Sequence, residues 1–210
     1  MNASDPATVS RPEGWTADHD ARWAQLFARL IRIEGGYVND KFDRGGATKY
    51  GISLRFMAIE GLLDLDKDGY ADFDINRDGR LDALDIALLN PRNAEAIYLR
   101  VFFIETGFWS LPRPFDAALF DFGVNAGAGS AVKILQRALN SFGSPVLKVD
   151  GQLGPQTRRM LDLRQQEGAV LAKVRAAAAG HYRSIIANDP SQKRFEKGWL
   201  KRAEELGRVA

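Results

Sequence analysis

The sequence predicts a mainly α-helical chain with one small β-hairpin lobe and a helical C-terminal part. Three observations carry this. Apolar residues recur at helical spacing in several segments, beginning with Trp23, Phe27, Leu30 and Ile31. One turn-rich stretch, Glu34 to Ile52, breaks that pattern with short extended runs around Gly45-Gly46. From Phe115 onward the apolar spacing is helical almost throughout.

The composition is that of a globular protein: 45% hydrophobic and 27% charged over 210 residues, enough for one full domain or two small ones. With no cysteine there is no disulfide, thiolate nucleophile or thiolate metal site. A net charge of +2 suits a polyanionic wall and is too weak to argue for nucleic acid. No apolar run reaches membrane-spanning length, so no stable membrane insertion is expected. Residues 1–16 read as a mobile tail with neither a basic n-region nor an apolar h-region. The chain is therefore expected to be made in the cytoplasm without a signal peptide.

In order, Asp18 or Asp20 can cap the first helix, which Gly35-Gly36 would end. Glu34 then sits in the last helical turn, where the negative end of the dipole raises a carboxyl pKa, as a general acid requires. Tyr37 to Asp40 and Ala47 to Ile52 are expected as the two hairpin strands. Asp43 is the better second carboxylate of the stretch, and Asp40 reads as a turn residue. A lone Glu would be a solvated helix end; the surrounding pattern favours catalysis.

Ser53 to Leu63 reads as a helix, followed by the acidic run DLDKDGYADFDINRDGRLDALD. Asp74, Asn76 and Asp78 stand at positions 1, 3 and 5 of an EF-hand-type loop, with Gly79 at 6, the Arg80 carbonyl at 7 and Asp85 at 12. Asp82 could ligate directly or through water. Asp64, Asp66, Asp68 and Asp72 occupy similar positions in a preceding loop whose twelfth residue, Ile75, cannot ligate. The two loops overlap, so they cannot both be ordinary EF-hands. Ca2+ is the expected cofactor, because so many adjacent carboxylates repel one another without a counterion.

Pro91 to Phe103 is expected as a helix capped by Asn90. Phe115 to Asn125 is apolar enough for a buried central helix. Helices are also expected at Ser130 to Leu139, from Thr157, at Ala169 to Ile186 and at Lys193 to Arg208, the last with Phe195, Trp199 and Leu200 on one face.

The Glu34 to Ile52 stretch, EGGYVNDKFDRGGATKYGI, resembles the signature of the glycoside hydrolase 108 family of N-acetylmuramidases: Glu-Gly-Gly-Tyr, an Asp, then Gly-Gly-x-Thr-x-x-Gly. It is similar, more loosely, to phage-type lysozymes, whose Glu-x8-Asp spacing Glu34 and Asp43 keep; Thr48 falls one residue earlier than their threonine. LQRALN at Leu135 to Asn140 with VDGQLGPQT at Val149 to Thr157 resembles the peptidoglycan-binding module appended to these enzymes, although a plain completion of the helical lobe reads equally well. The acidic run also resembles dockerin calcium loops.

The resemblance implies a lysozyme-like (α+β) fold, a catalytic domain over 18–125 with the insert at 64–85, and a helical peptidoglycan-binding module over 126–210. It implies an endolysin cutting the β-1,4 bond between N-acetylmuramic acid and N-acetylglucosamine, with Glu34, Asp43 and Thr48 catalytic and Tyr37 and Asn125 contacting substrate. A monomer acting on bacterial peptidoglycan is expected. Two other readings stay open at this point: a lytic transglycosylase, and a non-catalytic, calcium-dependent wall-binding protein.

Overall fold

The computed structural model describes residues 9–33, 47–60, 67, 69–164 and 169–208. It is mainly α-helical with a two-stranded antiparallel sheet, and it divides into two compact units, Met1–Ile104 and Glu105–Ala210. Among the described residues no helix is long and apolar enough to cross a membrane.

The first unit opens with α1, Ala17–Ile33. Trp23, Leu26 and Leu30 bury its apolar face, and Trp23 Nε1 donates to Glu95 Oε1 at 3.0 Å while its ring packs on Phe103. The helix starts one residue before Asp18, so Asp18 and Asp20 lie inside its first turn, where the dipole favours acids. Asp20 does not cap; it accepts from Arg11 Nε and Trp15 Nε1.

The sheet corrects one expectation. The run from Ala47 to Ile52 is itself a hairpin: β1 (Thr48–Lys49) pairs with β2 (Ile52–Ser53) in the register Thr48↔Ser53 and Lys49↔Ile52. Tyr50 and Gly51, at φ 52° and 75°, form the two-residue left-handed turn that matches strand twist. The other expected strand, Tyr37 to Asp40, lies outside the described residues. Ser53 Oγ accepts from Phe56 N and so starts α2, Leu54–Glu60, which buries Met57 completely.

After the acidic loop come α3 (Ala83–Leu88) and α4 (Pro91–Ile97), each opened by a reciprocal capping box, Asp82 with Asp85 and Asn90 with Asn93. The expected helix to Phe103 does continue, but its second half widens into a π-helix over Tyr98–Ile104, burying Tyr98, Leu99 and Phe103.

The second unit is helical: α5 (Phe115–Ala126), α6 (Ala128–Asn140), α7 (Pro155–Arg164), α8 (Val170–Asn188) and α9 (Glu196–Glu205). A 3-10 turn, Pro190–Phe195, precedes α9, so the expected last helix is split. The α5 helix is buried from Phe115 to Phe120 and again at Phe122 and Gly123. Gly123 is needed there: a Cβ would stand 3.3 Å from the Phe108 ring and 3.6 Å from Ala131. The α5 helix packs on α6, α6 on α8, and α8 on α9.

Candidate active site and wall-binding module

Of the expected catalytic set, Thr48 is described; Glu34, Tyr37 and Asp43 lie outside the described residues. Thr48 is half-buried on β1. Among the bonds that hold its hairpin are Lys49 Nζ to the Ala87 carbonyl at 2.6 Å, Tyr98 Oη to the Tyr50 carbonyl at 2.8 Å, and Leu54 N to the Ala47 carbonyl at 2.9 Å. The first ties the hairpin to the last turn of α3, whose orphan carbonyls attract a cation. Sequence reading missed the roles of Lys49 and Tyr98. Tyr98 was legible only as part of the helix expected from Pro91 to Phe103, and nothing marked Lys49.

The acidic loop is described at Lys67 and from Gly69 onward; Asp64, Asp66 and Asp68 lie outside the described residues. Lys67 and Gly69 have φ of 58° and 92°, Arg77 and Gly79 of 58° and 81°, so the same left-handed pair recurs ten residues on. Asp74 Oδ1 and Oδ2 accept from Asp78 N (3.1 Å) and Gly79 N (2.7 Å). Asn76 Oδ1 accepts from Asp78 N and Asp78 Oδ1 from Arg80 N. Asp85 Oδ1 and Oδ2 accept from Ile75 N and Asp82 N, both at 2.9 Å. Asp72 is ion-paired with Arg100, and Asp82 Oδ1 caps α3 through Leu84 N, so these two carboxylates already have partners.

The donor chemistry fits a hard cation. Asp74 and Asp85 are 5% and 1% exposed, and neither forms an ion pair among the described residues. The loop as it stands spends these oxygens on backbone amides, and among the described residues no three acidic side chains converge as a metal cage.

In the second unit Asn125 is exposed at the end of α5, and its Oδ1 accepts from Tyr182 Oη at 2.9 Å. Burial pushes the Tyr182 hydroxyl up to about 12. Burial, with a smaller push from Arg137, lowers the pKa of neighbouring His181, whose ring packs edge-on against Phe122. One turn back on α5, Asp121 pairs with Arg202 of α9 at 2.9 Å. The loop between α6 and α7 is tied by Gln136: Nε2 donates to Asp150 Oδ1 at 2.9 Å, and Oε1 accepts from Gly151 N at 3.0 Å. The Gln136 bond, then that from Gln152 N, holds the Asp150 carboxyl below its usual range.

Comparison with known proteins assigns these parts. Residues 27–127 match the family model described as glycosyl hydrolase 108, and the chain is a glycoside hydrolase. Residues 130–204 match a predicted peptidoglycan domain. Together the two support a peptidoglycan hydrolase of the glycosyl hydrolase 108, endolysin-like kind. Among solved structures, SagA of Brucella abortus is similar over 90% of this chain and 92% of its own, with 24% identity and a TM-score of 0.66. That likeness is one of fold, and the mainly helical, lysozyme-like architecture with its small sheet is consistent with it. No functionally curated protein matches.

Proposed function

We propose that the chain is an N-acetylmuramidase that hydrolyses the β-1,4 bond between N-acetylmuramic acid and N-acetylglucosamine. Glu34 protonates the glycosidic oxygen as the bond breaks. Asp43 stabilises the oxocarbenium-like state or helps activate water, and Thr48 orients that water. The water's hydroxyl goes to the anomeric carbon, and its remaining proton goes to the carboxylates and restores the acid form of Glu34. Tyr37 contacts substrate, as does Asn125, whose Oδ1 is taken by Tyr182 and whose Nδ2 remains to donate to a glycan carbonyl. The observation that carries this reading is the glycosyl hydrolase 108 match running through the Glu34 to Thr48 stretch. The protein would act as a monomer on the wall after release from the cytoplasm.

Calcium belongs to the same proposal. Asp74, Asn76, Asp78, the Arg80 carbonyl and Asp85 would hold it, with Asp64, Asp66, Asp68 and Asp72 contributing from the preceding loop. The buried, cation-free carboxylates of Asp74 and Asp85 support this assignment. Bound there, the ion would stabilise the folded loop.

The test is clearing of purified sacculi by the wild type and Glu34→Gln, each with calcium and with a chelator. Wild type should clear them, Glu34→Gln should be slower by about 10²-fold or more, and chelation should lower both the wild-type rate and its melting temperature. Mass spectrometry should find reducing N-acetylmuramic acid ends; anhydro ends would instead identify a transglycosylase. Equal clearing by Glu34→Gln would remove Glu34 from the mechanism, and indifference of the melting temperature to calcium would remove the metal.

A further inference from the structure

Three rings stand in a column at the end of the second unit. Tyr182 stacks on Trp199 with centroids 5.2 Å apart and planes at 18°, and Phe195 stacks on Trp199 at 5.5 Å and 30°. The inner ring is 1% exposed and pinned by its hydroxyl to Asn125. The outer ring, Phe195, is 43% exposed. The guanidinium of Arg194 lies 4.7 Å over it and, among the described residues, makes no ion pair.

Local sequence builds this presentation. Asp189 accepts from Ser191 N and starts the 3-10 turn, with Pro190 at its first position. The turn ends at Phe195 and α9 begins at once, so Phe195 and Trp199 fall one turn apart. A ring already stacked on an anchored partner loses little freedom on binding. An exposed arginine lying over a ring is held there only weakly, so it can swing its in-plane N–H donors to a carboxylate and yield the ring face to a sugar. Lys193 and Lys197 are exposed on either side in sequence, so the surface is cationic as well as aromatic. An apolar ring and a forked cation side by side match a polymer carrying both sugar rings and free carboxylates. Peptidoglycan is such a polymer, through its glycan strand and its stem peptides.

We infer that Phe195 and Arg194 form a peptidoglycan-docking platform, Phe195 stacking on a sugar and Arg194 taking a stem-peptide carboxylate. The inference rests on the peptidoglycan reading of residues 130–204 and adds the surface that does the binding. It is tested by co-sedimentation of the full chain, in the cold, with whole sacculi and with glycan strands stripped of stem peptides.

Phe195→Ala should weaken binding to both substrates about fivefold to tenfold. Phe195→Leu should do the same, and Phe195→Trp should restore binding. Arg194→Gln should weaken binding to whole sacculi alone and flatten its salt dependence. All four should still melt cooperatively, Arg194→Gln and Phe195→Trp with the unchanged chain and the two smaller substitutions a few degrees lower for the lost stacking on Trp199. If Phe195→Leu, folded, binds like the unchanged chain, the platform is wrong while the peptidoglycan reading stands. Should Arg194→Gln lose equally on both substrates, the stem-peptide assignment is wrong, because stripped strands keep only the lactyl carboxylates of their muramic acid units. Failure of the unchanged chain to pellet with either substrate overturns the platform and the reading beneath it.

Discussion

Gln136 is 1% exposed, and its one amide serves four partners: Asp150, the Gln152 carbonyl, Thr157 and Gly151 N. Removing it leaves the buried Thr157 hydroxyl and the Gly151 N–H without that partner, and each such loss costs about 1–3 kcal/mol. Gln136→Ala should therefore lower stability by about 2–3 kcal/mol in urea unfolding, with the m-value unchanged. A loss under about 0.5 kcal/mol, the level of an ordinary surface change, would show that the network is not needed. The sequence held half of this arrangement. LQRALN and VDGQLGPQT stood out as a pair, and the structure joins them through this glutamine. Nothing in the string says that Gln136 turns inward, because a buried polar residue on an amphipathic helix looks like any surface glutamine until its partners are placed.

At the scale of elements, the hairpin bearing Thr48 has two residues in each strand, and so small a ribbon is not stable alone in water. It depends on its bonds to α3 and to Tyr98. Lys49→Met removes the bond to the Ala87 carbonyl and keeps the side chain's length. On the proposed role of Thr48, kcat for sacculi clearing should fall about threefold to tenfold with little change in KM, since a small misplacement of a water-orienting group acts on the chemical step. An unchanged kcat would separate the hairpin from catalysis. The turn at Tyr50-Gly51 was missed from sequence for a physical reason. Gly45-Gly46 is the stronger turn signal, while Tyr50 adopts a positive φ that tyrosine seldom takes, and Gly51 alone hinted at it. The π-helix at Tyr98–Ile104 carried no sequence signal, because YLRVFFI has an ordinary helical composition. By contrast, the caps at Asn90-Pro91 and the buried α5 were legible, since each rests on residue types whose preferences are local and strong.

For the whole molecule, α5 decides what can be separated from what. It falls within the glycosyl hydrolase 108 match and packs on the 3-10 turn Phe108–Ser110 just before it, yet much of its packing comes from later in the chain: α6, Tyr182 against Phe122 and Asn125, and Arg202 on Asp121. A truncation after residue 127 would strip α6, Tyr182 and Arg202 from this buried helix and expose the face of Phe122, at about 1.5–3 kcal/mol for each large apolar side chain laid bare, against a total stability of about 5–15 kcal/mol for an ordinary domain. Such a fragment should show no cooperative thermal transition by circular dichroism, whereas the full chain should; a cooperative melt of the fragment would overturn the argument. The same helix sets where this gene can be recombined. Between the two family matches the chain turns from α5 into α6 through the single residue Gly127, at φ 85°. An exchange of reading frames at that corner would graft a new C-terminal half onto a helix shaped for the old one. A crossover near residue 105, where the two compact units divide, would keep α5 together with α6, Tyr182 and Arg202.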